Sequence, residues 1–460
     1  MSTTIAGDAS KPELTAQEIK QRVLKELDGS VAQVRIVTLD LHGVPRSKLL
    51  SARHFRSVIT DGHPYALALL AADLWQGIPE EETILTSDIG WGNGILVPDL
   101  RTFTRLPWTR GTAQVMADCF SRDMVPQASA RQVLASIVQR AAAAGFEPVF
   151  GSEMEFYVYR PELGEQGYDA VFTRQSWFSA NALGQVQEFI DKLFDVTREM
   201  GLPLYEIMAE HGAGQLEYNL EPGSGVAAID NLVSLKIVTK EIAHSLGLRA
   251  TFFSRPTNMW ETPPSGYHLH QMLKDEAGGN AFYDPDAPDG LSSTCLHYIG
   301  GQLAHTMAMT GIAAPTVTAY KRYVPGTVAP IRVGWGVDNR SAVVRAIPAG
   351  FNTHLENRLG SSDANPYLLA AVCVAAGLLG IEQKIDPGPP GSGDMFKDER
   401  YQKLPSTLIE GINYYADDVQ LAELMGADFT RIYTSVMRRD WQRYAEHVSD
   451  WEIREYRDLL

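Results

Sequence analysis

Carboxylate and imidazole side chains recur in this chain as pairs that are separated by a single residue. Glu153 and Glu155 lie in GSEMEFYVY, and His268 and His270 lie in SGYHLHQ. Because successive side chains of a β-strand point to opposite faces, each pair would occupy one face of its strand. A solvated edge strand is the alternative interpretation of such a pair.

Two further segments carry the same residue types. Glu210 and Glu217 bracket HGAGQL, a glycine-rich turn that can bring two carboxylates together, and Glu356 and Arg358 lie two residues apart in HLENR. Five carboxylates and a histidine cannot converge unpaired, because repulsion and desolvation would be prohibitive. Divalent cations remove this difficulty, so the segments together predict a metal centre.

The ligand types indicate which ions such a centre would bind. Oxygen ligands with one imidazole suit Mg²⁺ or Mn²⁺ better than zinc. Two ions with three protein ligands each would leave coordination positions for phosphate oxygens and water.

Arginines in the segment 320–345 supply the opposite charge. Arg322, Arg340 and Arg345 are candidates to hold phosphate or carboxylate oxygens. Surface salt bridges, the commoner fate of arginine, are the alternative. Arginines beside a carboxylate-bound metal fit phosphoryl transfer from ATP.

Alternating strands and helices are expected to position these segments. Thr15 and Glu18 form a capping-box pattern for a first helix over 14–27. The predicted strands are 31–40, 83–85, 95–98, 112–116, 149–160, 250–255 and 267–273. The other predicted helices are 185–199, 231–246, 291–310 and 366–383. Residues 1–14 are predicted to be a flexible tail, 15–122 a small β-rich domain and 123–460 a second, larger domain.

Composition excludes several classes of protein. The 460 residues include 40 basic and 56 acidic side chains, a formal net charge of −16, which argues against nucleic-acid and anionic-membrane partners. Three cysteines far apart predict no disulfide framework, and the N-terminus lacks the apolar stretch of a signal peptide. We therefore expect a cytoplasmic protein, in which the apolar run 367–381 is a buried helix rather than a membrane span.

The ordered set GSEMEF, EHGAGQLE, SGYHLHQ, YKRYVPG, DNRSA and NPYL resembles the glutamine synthetase superfamily, in its bacterial type I-like branch. The resemblance implies an α+β fold, with a small N-terminal β-grasp domain and a larger catalytic domain built on a curved antiparallel sheet. It also implies active sites between neighbouring subunits of a ring, normally in a homododecamer of two stacked hexamers.

The resemblance also assigns roles to residues. The implied metal ligands are Glu155, Glu210 and Glu217 for one ion and Glu153, His268 and Glu356 for the other. The implied substrate ligands are His270, Arg340 and Arg345 for ATP and Arg322, Arg358 and Gly266 for glutamate. Arg322 and Arg340 are the predicted catalytic residues. The implied reaction forms γ-glutamyl phosphate, which an amine then attacks.

Departures from the family pattern concentrate around the ammonium site. Val328, in VPGTVAP, stands where VPGYEAP has a glutamate, and Trp177 stands for a tyrosine. Ala66 or Leu67 replaces an acidic or polar residue that the adjacent subunit would contribute. Burying ammonium without its counter-charges costs several kcal/mol, whereas an apolar amine gains about 25 cal/mol per Å² buried. Neutral drift in a pocket that still takes ammonium is the alternative.

Two other departures concern the glutamate site. Pro263 and Pro264 replace Asn-Gly, which removes a backbone donor and an amide, and His354 replaces an arginine ahead of Glu356. The exact glutamate contacts therefore differ from the family pattern.

The sequence thus predicts an ATP-dependent ligase that joins the γ-carboxylate of L-glutamate to a primary monoamine, an alkylamine or an arylamine such as aniline. A γ-glutamyl ethanolamide or polyamine synthetase is the nearer alternative. A non-catalytic assembly protein of the same fold and a phosphagen kinase are alternatives from other classes; the first has no reason to keep six metal ligands.

Overall fold

The computed structural model describes residues 14–161, 169–172, 177–257 and 263–460 of the chain. Within these ranges the strands form two sheets. The strands are β1 (Gln33–Leu39), β2 (Pro45–Ser51), β3 (His63–Ala66), β4 (Asn93–Pro98), β5 (Thr104–Arg105), β6 (Thr112–Phe120), β7 (Glu147–Arg160), β8 (Asp169–Ala170), β9 (Leu204–Ala209), β10 (Gln215–Ser224), β11 (Arg249–Thr251), β12 (Tyr267–Lys274), β13 (Trp335–Val337), β14 (Val344–Ile347) and β15 (His354–Asn357).

The α-helices are α1 (Ala16–Asp28), α2 (Ala52–Val58), α3 (Ala130–Ala143), α4 (Ala180–Gln185), α5 (Gln187–Met200), α6 (Gly225–Ser245), α7 (Ser293–Ala304), α8 (Thr306–Ala313), α9 (Pro366–Gln383), α10 (Leu408–Asp417), α11 (Val419–Met425), α12 (Ala427–Ala445) and α13 (Asp450–Tyr456).

The first sheet has the strand order β2-β1-β6-β4-β3, with β5 also beside β6. β1 and β6 run parallel, and the other neighbours are antiparallel. Alternation in β1 buries Val34 and Ile36 completely. α1 begins at the predicted capping box of Thr15 and Glu18 and buries Leu27 in the same core.

The predicted strand at 83–85 is wrong, because this segment forms a turn instead. Thr83 Oγ1 donates to Asp88 Oδ2 at 2.8 Å, and the backbone N–H groups of Thr86 and Asp88 both donate to the Thr83 carbonyl at 3.0 Å. Local side-chain bonding thus outweighs the β propensity of Thr and Ile here.

The second sheet has the strand order β13-β14-β15-β12-β7-β10-β9, with β8 and β11 also beside β7. Only β13 and β14 are parallel, so the predicted curved antiparallel sheet and the α+β class are confirmed. One face of β7 buries Met154, Phe156 and Val158 completely. Glu153 and Glu155 therefore occupy the opposite face.

The helical layer contains α9, which spans the predicted residues and is almost wholly buried. An added Cβ on Gly301 of α7 would lie 2.1 Å from the carbonyl oxygen of Ala376, so the two helices require glycine there. α9 is the described helix that is long and apolar enough to cross a membrane, but 83% of that stretch is buried inside the protein, as in a core helix. The single helix predicted at 291–310 is instead two, α7 and α8, which meet at His305.

Candidate active site

Cross-strand pairing brings the predicted ligands together. Glu153 of β7 is the register partner of His268 in β12, and Glu155 is the partner of Glu217 in β10. His270 in turn pairs with Glu356 of β15. Residues that are directly opposite in antiparallel strands have Cβ atoms about 5 Å apart, so strand order alone concentrates these groups on one face.

Glu153, His268 and Glu356 form the first half of the site. His268 Nδ1 lies 2.5 Å from Glu153 Oε1 and 3.4 Å from Glu356 Oε1. His270 Nε2 lies 3.5 Å from Glu153 Oε2, and ligand atoms of Glu153, His270 and Glu356 all lie within 4.8 Å of one another. Either imidazole is therefore placed to share an ion with the two carboxylates.

The pKa shifts in this half reflect the imidazoles. Burial raises the pKa of Glu153, but the charges of His268 and His270 and their hydrogen bonds outweigh it, so that the pKa lies well below its usual range. Burial likewise opposes ionisation of Glu356, whose pKa is lowered by Arg358, His268 and His270.

Glu155, Glu210 and Glu217 form the second half, where carboxylates face carboxylates. Burial and the charges of Glu153, Glu155 and Glu210 raise the pKa of Glu217 well above its usual range. Burial also raises the pKa of Glu155, which accepts hydrogen bonds from the Gly266 N–H at 2.9 Å and from Gln215 Nε2 at 3.0 Å. A buried set of carboxylates that disfavours its own ionised form fits a divalent cation as the missing counter-charge.

Arg322 and Gly266 lie together at the edge of this half. Arg322 is 2% exposed and donates to the carbonyl oxygen of Leu359 at 3.1 Å. A Cβ added at Gly266 would lie 2.9 Å from both Arg322 Nη2 and His268 Nε2. Glycine therefore lets the backbone approach the arginine and the imidazole closely.

Arg358 has an unused donor. Its Nη1 contacts Glu356 Oε1, whereas its Nε is buried and has no hydrogen-bond partner among the described residues. An orphaned guanidinium N–H beside Arg322 fits an oxyanion ligand, because leaving such a donor unpaired is unfavourable.

Arg345 and Arg340 differ in their partners. Arg345 Nη1 donates to Glu356 Oε2 at 3.0 Å, and its other nitrogens contact Asp338, so it forms the salt bridges considered as the alternative interpretation. Arg340 is exposed in a cleft that Asp338, Asn339 and the glycine-rich segment 390–393 also line. Within the described ranges it makes no ion pair, so its guanidinium is accessible to a ligand.

Pro263 and His354, which depart from the family pattern, each contact a residue of the sheet. The Pro263 carbonyl oxygen accepts a hydrogen bond from the Tyr157 hydroxyl at 2.5 Å. The His354 ring lies 5.2 Å from that of His270, and burial together with the charge of His270 lowers the pKa of His354. An imidazole that disfavours its charged form here cannot replace the fixed charge of an arginine.

Aromatic rings stack beside Glu210. Trp177 is 52% exposed, its ring lies 4.5 Å from that of His211 at an interplanar angle of 24°, and its centroid is 4.9 Å from that of Phe178. His211 Nδ1 lies 2.9 Å from Glu210 Oε2. His211 is not among the predicted site residues, although its position between Glu210 and the glycine turn was a usable signal.

The other residues predicted for the amine pocket differ in their exposure to solvent. Val328 is 55% exposed, and Ala66 is also exposed at the end of β3. Leu67 is 5% exposed and packs close to Gly94 within the first sheet. Of the pair considered for contact with a neighbouring subunit, only Ala66 is therefore presented to solvent.

Most of the chain, the candidate site included, matches one known protein family. The family model of the glutamine synthetase catalytic domain matches residues 127–456. The chain belongs to the glutamine synthetase family. It is accordingly an ATP-dependent carbon–nitrogen ligase.

Similar proteins include ligases for different nitrogen substrates. A glutamate–isopropylamine ligase from Pseudomonas sp. is 28% identical, covering 97% of this chain and 100% of the relative. A glutamine synthetase from Rhizobium meliloti is 32% identical over 90% of this chain and 93% of its own length. A gamma-glutamylethanolamide synthetase from Streptomyces coelicolor is 30% identical, with 93% and 92% covered.

The same similarity extends to three dimensions. A solved structure of a GmaS/ADP complex has a TM-score of 0.85 to this chain at 28% identity, covering 95% of this chain and 99% of its own. The similarity in three dimensions therefore extends over nearly the whole length of both chains.

Proposed function

We propose that this ligase joins the γ-carboxylate of L-glutamate to a primary monoamine, an alkylamine or an arylamine. The observation that carries the proposal is the ring stack of Phe178, Trp177 and His211, which adjoins Glu210 and remains partly exposed. The aromatic faces offer apolar area that an alkyl or aryl substituent can cover, whereas ammonium has no substituent that could use it. Val328 lies in the segment VPGTVAP, the flap, where the family pattern VPGYEAP has a glutamate. The loss of that carboxylate favours the same class of substrate.

We propose two ions of Mg²⁺ or Mn²⁺ for the acidic face. Glu155, Glu210 and Glu217 would hold one, and Glu153 and Glu356 with an imidazole would hold the other. When bound, the ions neutralise the charge of the phosphates. His268 is the imidazole that the family resemblance favours and the one closer to Glu153, although a ring nitrogen of His270 also lies near both carboxylates.

The arginines would act on the two anionic substrates. Arg322 and Arg358, with the backbone at Gly266, would hold the carboxylates of glutamate, and Arg358 Nε supplies an N–H for which the described part of the chain offers no partner. Arg340 and Arg345, together with His270, would bind the phosphates of ATP, and release of Arg345 from Asp338 would free its donors. In the final step the amine nitrogen bonds to the γ-carbonyl carbon of γ-glutamyl phosphate, phosphate leaves and the amine loses a proton.

We further propose a cytoplasmic homododecamer of two hexameric rings, with a β-grasp domain over 15–122 and a catalytic domain over 123–460. In such a ring Ala66 of a neighbouring subunit would complete the amine pocket. Three free, buried cysteines support a reducing compartment. Light scattering on the purified protein measures the subunit number directly.

A substrate panel tests the function. Purified enzyme, Mg²⁺, ATP and glutamate are incubated with isopropylamine, aniline, ethanolamine, putrescine or ammonium, and phosphate release and product mass are measured. We expect the highest kcat/KM with an apolar monoamine and the lowest with putrescine, whose second ammonium group lacks a partner. Ammonium turnover equal to that of every apolar amine would contradict the proposal, and preference for ethanolamine would establish the alternative.

A further inference from the structure

Lys236 of α6 is a half-buried basic residue that none of the roles above uses. Its Nζ donates to the carbonyl oxygen of Ser362 at 3.0 Å and lies 4.7 Å from the centroid of the Phe252 ring. Burial and the charge of Lys240 lower the pKa of Lys236 to about 7. Both the amine and the ammonium form carry an N–H, so the hydrogen bond to Ser362 persists in either state.

The turn that Lys236 contacts runs along the strand edge of the glutamate site. The Ser362 N–H donates to the Ser265 carbonyl at 3.2 Å, and Ser361 forms a β-bridge with Gly266. The Tyr267 N–H donates to the Gly360 carbonyl at 2.9 Å. The turn 360–362 thus lies along three consecutive residues that enter β12: it hydrogen-bonds to Ser265 and Tyr267 and pairs with Gly266 between them.

The middle residue of those three has little freedom to move. The Gly266 N–H donates to Glu155 Oε2 at 2.9 Å, and its carbonyl accepts from the Glu155 N–H at 3.0 Å. Arg322 Nη2 and His268 Nε2 approach so closely that a Cβ at Gly266 would lie 2.9 Å from each. A small displacement of this edge would change the distances among the backbone, the carboxylate and the arginine together.

Other contacts on the turn come from neutral groups or from within it. Ser362 Oγ donates to the Phe252 carbonyl at 2.8 Å, and Ser361 Oγ donates to the Ala313 carbonyl at 3.2 Å. Asp363 accepts from Thr316 Oγ1 at 2.7 Å. Lys236 instead donates to the turn from α6, and it can do so in either protonation state.

We propose that Lys236 is a positioning residue for the glutamate subsite: by fixing the turn 360–362 it fixes Ser265 and Gly266 against Glu155 and Arg322. The inference rests on the proposed binding of glutamate at Gly266 and Arg322. It does not depend on which amine is the second substrate.

Lys236→Met tests the proposal, because methionine keeps the apolar stem and loses the donor. We expect the KM for glutamate to rise about three- to tenfold, the KM for ATP to stay within about twofold, and kcat to fall less than the glutamate kcat/KM. Lys236→Arg, which restores a donor, should recover at least half of the glutamate effect.

Lys240→Met is the matched control. Lys240 lies one turn further along α6, 5.8 Å from the centroid of the same Phe252 ring, and makes no hydrogen bond or ion pair among the described residues. The KM values of Lys240→Met for glutamate and for ATP should equal those of the wild type. If Lys236→Met does not fold, Ser362→Ala removes the Oγ bond from the same turn and should raise the glutamate KM in the same direction, by less.

Arg322→Ala, measured in parallel with the best amine found, separates the possible failures. If Arg322→Ala raises the glutamate KM and Lys236→Met does not, the positioning role is wrong while the glutamate subsite stands. If neither variant changes it, the placement of glutamate falls and the positioning role with it. A proportional rise in both the glutamate and ATP KM values, with a lower melting temperature, would overturn the proposal in favour of a general structural role.

Discussion

Two clusters of buried charge in this protein are built in opposite ways. The junction cluster consists of Arg131 and three aspartates that lie in or beside different elements, Asp99, Asp118 and Asp230. Arg131 donates to Asp99 and Asp118 at 2.7 Å and to Asp230 at 2.8 and 2.9 Å. The site cluster on the second sheet instead places Glu217 against Glu155 and Glu210 without an arginine between them.

The carboxyl pKa values show the consequence of this difference. Burial opposes ionisation of Asp99, but hydrogen bonds and charge from Arg101 and Arg131 lower its pKa to about 2. Burial and like charge raise the pKa of Glu217 instead. A cluster in which each carboxylate bonds to an arginine stabilises the fold, whereas one in which carboxylates face one another favours a cation from solution.

Glu217→Gln should have the largest effect on function. The amide keeps the side-chain size but removes a proposed ligand, so we expect kcat to fall at least about 100-fold in saturating Mg²⁺. The metal-free protein should melt at a higher temperature than the wild type, because one repelling charge is gone. Steady-state kinetics in Mg²⁺ measure the fall in kcat, and thermal melts in EDTA measure the change in melting temperature. Wild-type kcat in the variant, or full wild-type turnover in EDTA, would contradict the metal assignment.

Arg131→Met should have the largest effect on stability. It leaves three aspartates without their shared partner, and two of them, Asp99 and Asp230, have almost fully buried side chains, so the loss costs about 3–5 kcal/mol. Urea unfolding followed by far-UV circular dichroism measures the loss. Arg101→Met is the matched control, because the Arg101 side chain is 73% exposed and pairs with the same Asp99; it should cost less than about 1 kcal/mol. Equal losses of unfolding free energy in the two variants would show that the buried and the exposed arginine contribute alike.

Arg322→Ala and Arg358→Ala should affect glutamate far more than ATP. Each substitution removes a charge-assisted contact of about 1.5–3 kcal/mol, which corresponds to a decrease of about 10- to 150-fold in kcat/KM for glutamate. Initial rates at varied glutamate and at varied ATP measure the two parameters. Unchanged glutamate kinetics in both variants would show that these arginines were assigned to the wrong substrate.

Acid should weaken the junction cluster in a defined range. Asp99 has a pKa of about 2 in the folded protein and about 3.9 in an unfolded chain, so its stabilisation is complete above pH 4 and is lost as the pH falls through 2. The contribution is about 2–3 kcal/mol. Unfolding midpoints between pH 5 and 2 should fall less steeply for Asp99→Asn than for the wild type. If the wild type and Asp99→Asn give parallel curves of unfolding midpoint against pH, the pairing of Asp99 with the arginines is contradicted.

Much of this fold could be predicted from the sequence where one pattern dominates. The Thr15 capping box, the alternation around Glu153 and the apolar run of α9 each predicted the observed element. The turn at 83–85 and the break at His305 were missed, because they depend on Thr83–Asp88 bonding and on the contact of His305 Nδ1 with Asp418 at 2.6 Å. The latter pairs residues more than 100 positions apart, which no local pattern reveals.

The candidate site also contains features that local spacing predicts and contacts that it does not. The acidic and imidazole pairs were visible from their spacing, because strand periodicity alone puts each pair on one face. The contacts of His211 and Lys236 could not be predicted in this way. His211 stacks on Trp177, and Lys236 donates a hydrogen bond to Ser362. Both contacts join segments that come together only in the folded chain.

Val328→Glu should have the smallest effect and tests whether charge at the flap selects the nitrogen substrate. A glutamate would supply a counter-charge for ammonium and occupy apolar space, so kcat/KM should fall severalfold for an apolar amine and rise severalfold for ammonium, each change being about 1 kcal/mol. Val328→Gln is the matched control, because it has the same size and no charge. It should lower activity with the apolar amine without raising activity with ammonium, since only the carboxylate attracts the cation. Val328 is 55% exposed, so solvent screens the new charge and limits the gain. A rise in ammonium turnover that is equal in the two variants would attribute selectivity to pocket size instead of charge.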